Sequence, residues 1–471
     1  MKHKYIYLNV AQKLANQIRN GVLKKGDRLP SIRGLCDEYD ISMNTAKRVY
    51  IELESESLVI SVPQSGYFVS SANYSDYPLP KASNPMLLAD SDVPKDIINK
   101  VYSNIGSKNL TLFSINALYG EFLPTNQMKK EIGLAIKTLN NGGVDYESVQ
   151  GSVNLRRMIA SRSSTWGGNL TEEDIVTTNG SINAISLCLL ALGRPGDTVA
   201  IESPCYPGIF QLAIDLGFKV LELPTDPVTG VKIDALREVL NEIDICLLIS
   251  NYNTPLGSCM PTEHKKIVVE LLAQHNIPLI EDDVYGDLNF NGKRPTCCKA
   301  FDTTGNVLWC SSISKTIAPG YRVGWVSAGK YQDKIIELKL IHSISSPPLL
   351  QEAVASFIKS GKYEKHLREL RRKLFANYQK ILDIIINEFP QNTKVTRPEG
   401  GLSLWIEFDE KVNTIKLYDL CIKEGISIAP GRMFTVQKQF QNCIRISIGL
   451  PWSNDVEDKL KRIGVLSKKA F

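Results

Sequence analysis

Residues 311–325 read "SSISKTIAPGYRVGW": a single lysine, Lys315, set among hydroxyls, two glycines, a proline and an arginine. At the end of a strand a lysine is ordinarily a solvated charge. It becomes chemically active only where other positions supply burial, a counter-charge and groups that hold a ligand. In parallel sheets those groups collect at the carboxyl ends of the strands, so the neighbouring strand ends decide what Lys315 does.

Apolar, strand-like runs surround it in sequence: "DIVTTNG", "TVAIESP", "ICLLISNYN", "IPLIEDD" and "NVLWCSSIS". They alternate with helical stretches such as "INAISLCLLALG" and "TEHKKIVVELLAQHN". That alternation predicts an α/β domain whose large, mostly parallel sheet carries helices on both faces. A long charged helix is expected at about 351–388, and the strand-like "GGLSLWIEF" and "NCIRISIGL" predict a small C-terminal α+β subdomain over about 351–471. Several strand ends are polar. Gly180 and Ser181 of "TTNGSINAI" open an apolar helix, where free amides and the helix dipole attract a phosphate. "IEDDVYGD" ends a strand with acids and a tyrosine, and Asp282 there would need a cationic partner if buried. "SNYNTPLG" places amide side chains at another strand end.

Together these motifs resemble the fold type I pyridoxal-phosphate enzymes, and specifically the aminotransferase-like domain of regulators of the MocR subfamily within the GntR family. The resemblance spans nearly the whole chain and rests on "NGS", "ESPCYPG", "NYNTPLG", the Asp-x-x-Tyr of "DDVY" and "SISKTIAPGYRVGW". It implies pyridoxal 5'-phosphate as cofactor, whose aldehyde, pyridine nitrogen, phenolic oxygen and phosphate each need a partner. By the same resemblance Lys315 is the catalytic lysine that forms the internal Schiff base. Asp282 would keep the pyridine nitrogen protonated, Tyr285 would donate to the phenolic oxygen, and Tyr206 would lie over the ring. Arg322, Ser312, Gly180 and Ser181 would bind the phosphate through charge-assisted hydrogen bonds. Arg445 in "CIRISIG" matches the arginine that grips an amino acid's α-carboxylate with two parallel hydrogen bonds. Tyr146 in "VDYESVQGSVNLRRMIA" matches a tyrosine that reaches the partner subunit's phosphate, which implies a homodimer. One position departs from the pattern. Where relatives often read NPTG, this chain has Thr254, so the amide contact to the phenolic oxygen is absent or comes from Asn251 or Asn253.

The first 72 residues read as a separate module. An amphipathic helix at about 8–20 precedes the turn "KKGDRLP"; Ser31 and Ser42 then stand where they cap "SIRGLCDEY" and "SMNTAKRVYIELE". Ala46, Val49, Tyr50 and Leu53 form one apolar stripe, which leaves Asn44, Lys47 and Arg48 outward. "LVISVPQSGYFVS" alternates like a hairpin. "GDRLPSIRGL" followed by "ISMNTAKRVYIELE" resembles a GntR winged helix-turn-helix, which implies operator DNA as a partner. Ser42, Asn44, Thr45 and Lys47 would then face the groove, with Arg33, Ser65 and Gly66 on backbone or minor groove. Met43 stands where relatives commonly carry Arg. The module has ten Lys plus Arg against seven Asp plus Glu, a weak excess, so tight binding needs two copies on two half-sites. Residues 73–112, rich in Ser, Asn, Pro and Asp, are expected to be a linker, and 113–471 the aminotransferase-like domain.

Composition bounds the reading. The 471 residues suit two or three domains, and the net charge of +5 implies no nucleic-acid role by itself. No apolar run approaches the roughly 20 residues of a membrane span, and "MKHKYIYLNVAQKLANQ" lacks the apolar core and small-residue cleavage site of a signal peptide, so export is not expected. The ten cysteines lack zinc-site spacing and read as reduced thiols, so a cytoplasmic protein without metal or membrane is expected. Three functions fit the two modules: a regulator that senses the cofactor or an amino compound, an active aminotransferase with a vestigial or merely dimerising winged helix, and a scaffold that has lost the cofactor. A fused DNA module and a retained cofactor lysine are both needed only by the first.

Overall fold

The structure, a computed structural model, describes residues 6–24, 26–55, 58–62, 65–69, 77–86 and 92–471. Residues 63–64 of the hairpin turn and stretches 73–76 and 87–91 of the expected linker lie outside the described residues. The chain divides into two compact units, 1–78 with 379–387, and 79–378 with 388–471.

In the first unit α1 (Ile6–Arg19), α2 (Ile32–Tyr39) and α3 (Met43–Ser55) precede the antiparallel hairpin of β1 (Val59–Val62) and β2 (Gly66–Val69). The two serines cap as expected: Ser31 Oγ accepts the Gly34 N–H at 3.0 Å and Ser42 Oγ the Thr45 N–H at 3.2 Å. Ala46, Val49, Tyr50 and Leu53 are completely buried against Leu14, Leu35 and Val59. The Tyr50 ring stacks on Tyr67 with centroids 3.8 Å apart, and its hydroxyl donates to the Pro30 carbonyl, which fixes α3 to both the hairpin and the turn before α2.

The second unit begins with α4 (Lys95–Tyr102) and β3 (Thr111–Leu112). Its large sheet contains β4 (Val176–Thr178), β5 (Thr198–Ser203), β6 (Lys219–Asp226), β7 (Gly230–Val231), β8 (Ile245–Leu248), β9 (Leu279–Asp282), β10 (Val307–Ser312) and β11 (Gly324–Ser327). The order is β4-β11-β10-β9-β8-β5-β6-β7, parallel throughout its centre. Strand β11 runs antiparallel to both β10 and β4, and β7 antiparallel to β6. Every residue of β8, β9 and β10 is buried, as strands covered on both faces require. The helices are α5 (Thr125–Thr138), α6 (Val153–Arg162), α7 (Ser181–Leu192), α8 (Pro207–Asp215), α9 (Ile233–Glu238), α10 (Thr262–Gln274) and α11 (Gln332–Ser343).

The single helix expected at about 351–388 is two, α12 (Pro348–Lys359) and α13 (Lys362–Glu388). Gly361 between them takes φ +72, a left-handed conformation that ends a helix. The small subdomain's sheet has the antiparallel order β12 (Lys394–Val395), β13 (Ser403–Glu407), β16 (Cys443–Ser447), β15 (Ala429–Pro430), with α14 (Thr414–Ile422) and α15 (Asn454–Ser467). Strand β14 (Ile426–Ser427) pairs in parallel with β3. Much of the stretch read as linker is thus built into this unit. Ile97, Ile98 and Val101 of α4 are buried, and Ser83 is bonded to Ser203 and Thr225.

Candidate functional site

Strand β10 ends at Ser312 and turns tightly through residues 313–315, which delivers the half-buried Lys315 to the carboxyl edge of the sheet. A cavity of about 140 Å³ opens there, its lining including Lys315, Asp282, Tyr285, Tyr206, Ser181 and Arg322, with Thr254 and Ser314 also in the wall. Burial lowers the basicity of the Lys315 amine; Tyr206 and Asp282 oppose that shift, and Arg445 and Arg322 add to it. Its Nζ donates to the backbone carbonyl of Asn116 and lies 5.7 Å from the centre of the Tyr285 ring.

Asp282 closes β9 and is 4% exposed, with one carboxylate oxygen, Oδ1, unpartnered. Burial, then the charge of Asp283, pushes its pKa up to about 7. Tyr285 is buried too, and burial raises its hydroxyl to about 12, so it stays protonated at neutral pH. The amide of Asn116 donates to Tyr285 Oη at 3.3 Å, to Thr254 Oγ1 at 3.2 Å and to Ser403 Oγ at 2.6 Å. Sequence reasoning missed Asn116. The sequence leaves the amide contact beside Thr254 either absent or supplied by Asn251 or Asn253, and the structure commits both asparagines elsewhere. Asn253 donates to the buried Glu202 at 2.8 Å, and Asn251 donates to Asp283 at 2.9 Å while accepting from Lys265. Neither lines the lysine cavity, because deeper acids claim their donors first.

At the other end of the cavity Gly180 takes φ +92 as the N-cap of α7 and carries no capping side chain. A Cβ there would sit 2.2 Å from Arg322 Nη2, so only glycine admits the guanidinium. Arg322 donates to Asn179 O, Pro319 O and Ser314 Oγ and forms no ion pair among the described residues. A guanidinium free of acids beside the open amides of a helix N-terminus favours a bound anion. Ser312 does not line the cavity; its hydroxyl accepts the Ser314 N–H at 3.3 Å. Ser314, two residues on, faces the cavity in its place.

Arg445 on β16 is 3% exposed and also lacks an ion-pair partner among the described residues. Its Nη2 donates to Ser114 O at 2.5 Å and its Nη1 to Asn116 Oδ1 at 3.2 Å, whereas Nε has no partner. Tyr146 is 83% exposed and does not reach this cavity within its own chain. In the first unit Arg33, Ser42, Asn44, Lys47 and Ser65 are exposed, and Thr45 and Gly66 are partly so. Thr45 Oγ1 lies 2.9 Å from Ser42 Oγ, so these two hydroxyls serve the cap first.

A helix-turn-helix unit with a wing, followed by an aminotransferase-like unit with a lysine at its strand ends, defines a two-part class of protein. Residues 108–462 match the family Aminotransferase class I and II, and residues 6–69 match the bacterial regulatory proteins of the gntR family. The chain is 35% identical over 460 residues to the uncharacterised HTH-type transcriptional regulator YjiR of Escherichia coli strain K12, covering 97% of this chain and 98% of that one. It is 33% identical over 465 residues to the uncharacterised HTH-type transcriptional regulator YdcR of the same strain, covering 98% of each. The crystal structure of Pyrococcus horikoshii kynurenine aminotransferase superposes with a TM-score of 0.74 at 22% identity, over 79% of this chain and 94% of that chain, which shows the fold. The chain belongs to the HTH-type transcriptional regulators in which a GntR helix-turn-helix domain is fused to an aminotransferase class I and II domain, the MocR-like architecture.

Proposed function

We propose that this regulator binds pyridoxal 5'-phosphate at Lys315, senses an amino acid or related amino compound there, and reports it to operator DNA held by the winged helices of a homodimer. The observation that carries this reading is the unpartnered, buried Asp282 Oδ1 in one cavity with Lys315 and the acid-free Arg322. A pyridine nitrogen would satisfy that oxygen, and protonation of the nitrogen would relieve the cost of a buried carboxylate. When bound, the cofactor would supply an electron sink for chemistry at the amino carbon.

The protein's own groups fit the remaining parts of the cofactor. Lys315 would supply the amine, which burial keeps less basic than a free lysine. Tyr285, held by Asn116, would donate at the phenolic oxygen, and Thr254 adds a hydroxyl where an amide is missing. Arg322, Ser314, Ser181 and the backbone at Gly180 would hold the phosphate, and Tyr206 would cover the ring. The exposed Tyr146 would reach the partner's phosphate across a dimer. In the first unit the exposed Asn44 and Lys47, with Thr45 and the cap residue Ser42, would meet the groove, and Arg33, Ser65 and Gly66 the backbone.

The retention of Lys315, Asp282 and Arg445 in one unit favours a second reading, an aminotransferase that turns over and whose front module only dimerises. Operator titration with cofactor and a panel of amino acids separates the two. The sensor reading expects operator affinity to change about 5- to 150-fold on ligand binding. Multiple turnovers between an amino acid and a keto acid, with operator affinity unmoved, would establish the enzyme instead.

A further inference from the structure

A second cavity, of about 390 Å³, opens in the same unit at the start of α10, and it shares no lining residue with the lysine cavity. Its charged lining is Lys265, Lys293, Arg294 and Arg397 against a single acid, Glu399. Arg294 is already paired, with Asp283 at 2.5 Å and Asp287 at 2.7 Å. Lys265 is not. It is 1% exposed and forms no ion pair among the described residues; its Nζ donates to Asn251 Oδ1 at 2.6 Å and to Thr296 O at 2.8 Å. An ammonium has three donors, so one remains. Asn251 is held in turn by Asp283 at 2.9 Å, which fixes the ammonium without neutralising it. A buried cation whose partners are neutral oxygens is costly unless an anion joins it. The wall beside it is rich in further donors. Helix α10 runs for 13 residues, and its N-cap, Pro261, supplies no capping side chain. The amides of Thr262, Glu263 and His264 have no acceptor among the described residues, and Pro261 and Thr262 line the cavity. Glu263, the acid of that first turn, is not part of the lining. Ser258 is in the lining; it is 2% exposed, and its hydroxyl has no hydrogen-bond partner.

We propose that this cavity is a second ligand site, which takes the phosphate of a small phosphomonoester on the open amides of α10, the third donor of Lys265 and the Ser258 hydroxyl. A long helix start and a fixed ammonium both favour an anion. The donors come singly, rather than as the paired N–H fork that matches a planar carboxylate, and a phosphomonoester has three terminal oxygens to accept them. Lys293, exposed and without an ion pair among the described residues, adds positive charge to the approach. Tyr252, Met260 and Val228 form an apolar part of the wall, which suits the carbon body of an ester better than inorganic phosphate alone. The inference does not depend on the reading of the lysine cavity.

A phosphate also fits the end of the lysine cavity at Arg322, so the test uses the full chain as Arg322→Ala, which disables that end. Glycerol phosphate, inorganic phosphate and succinate are titrated by calorimetry, and hydrogen exchange is followed by mass spectrometry over residues 258–265. Lys265→Met and Thr262→Pro are then each added to the same background. The proline is chosen to keep the fold. Pro261 has φ −56 and ψ 149, the conformation that precedes a proline, and proline at the first helical position removes only an open N–H. The expected result is saturable binding of glycerol phosphate, weaker binding of inorganic phosphate, slowed exchange over 258–265, and about tenfold weaker binding in each added variant. No saturable binding of either phosphate in the millimolar range overturns the inference. So does binding that both variants leave unchanged, or that slows no exchange over 258–265. Succinate bound more tightly than glycerol phosphate, or inorganic phosphate bound as tightly as the ester, overturns the assignment to a phosphomonoester. Where Lys265→Met fails to fold, Thr262→Pro decides alone. None of these outcomes involves Lys315, so the proposed function stands or falls separately.

Discussion

The two units spend their polar groups in opposite ways. The DNA-binding unit buries a stripe of apolar side chains, closes two helix starts with Ser31 and Ser42, and leaves Asn44 and Lys47 to water. The aminotransferase-like unit buries polar atoms and leaves some of them unmatched, among them Asp282 Oδ1 and Arg445 Nε. Each unmatched buried group costs on the order of 1–3 kcal/mol, and a fold retains such a cost where a ligand removes it. What the first unit does must come from many weak exposed contacts. What the second does comes from a few groups, each with a large effect.

The largest expected effect tests that contrast at Lys315. In Lys315→Ala, borohydride reduction followed by peptide mass spectrometry should recover no cofactor on the chain, whereas wild type should carry it on Lys315. The thermal midpoint should move little, because the lysine amine forms no ion pair among the described residues and its hydrogen bond goes to a backbone carbonyl. Recovery of the cofactor on another lysine would break the comparison at its centre, since the cavity would then not be the site.

A second prediction concerns the stability that Asp282 gives up. Burial holds its folded pKa at about 7, above the ordinary aspartate value of 3.8, so between those values the native state keeps a proton that the unfolded chain has lost. The stability it contributes is complete below about pH 4 and is lost as pH rises through 7. Asp282→Asn removes that loss. In urea unfolding without cofactor the variant should be more stable than wild type at pH 8 by about 2–4 kcal/mol, with the gap closing toward pH 4. Its affinity for pyridoxal phosphate should fall at the same time. Equal stability at both pH values would mean that the carboxylate carries no burial cost and is not held for a ligand.

Much of this was legible in the sequence, for physical reasons that also explain the rest. The strands around Lys315 announce themselves because buried parallel strands must be continuously apolar, and the Ser31 and Ser42 caps because a helix start needs an acceptor at one position. The break at Gly361 was not legible, since a glycine in a charged helical pattern reads equally as tolerated. Asn253 was expected at the cofactor, but a neighbouring buried acid, Glu202, takes its amide, and only the folded chain brings Glu202 beside it. Asn116 carries no motif. Asn116 lies beside a stretch without hydrophobic period, and its role arises from contacts with β13 and β16 far along the chain.

A third, smaller effect sharpens the other side of the comparison. Ser42→Ala removes the hydroxyl that accepts the Thr45 N–H and should destabilise the front unit by about 1 kcal/mol. A urea titration that resolves the two units should show the first transition shift and the second stay. Cofactor capture at Lys315 should be unchanged. A shift of both transitions would mean that the units do not behave as separate bodies.

The smallest expected effect is at Lys47, and it is the cleanest measure of what exposed groups contribute. The side chain is exposed and has no hydrogen bond or ion pair among the described residues, so Lys47→Ala should leave both unfolding transitions within about 0.5 kcal/mol of wild type. If Lys47 meets a phosphate, the variant should lose operator affinity about equally for all sequences, and the slope of log affinity against log salt should fall by about 1 for each copy bound. If it meets a base edge, the loss should instead be confined to operators carrying that base, with the slope nearly unchanged. Either result keeps the front unit's work on its surface. On the proposed reading, the fold-change in operator affinity caused by an amino compound should be the same in Lys47→Ala as in wild type, because the groups proposed to set that coupling are buried in the other unit. A variant that lost the ligand response while keeping operator affinity would show that the exposed face also carries the signal, and the division of labour between the two units would have to be redrawn.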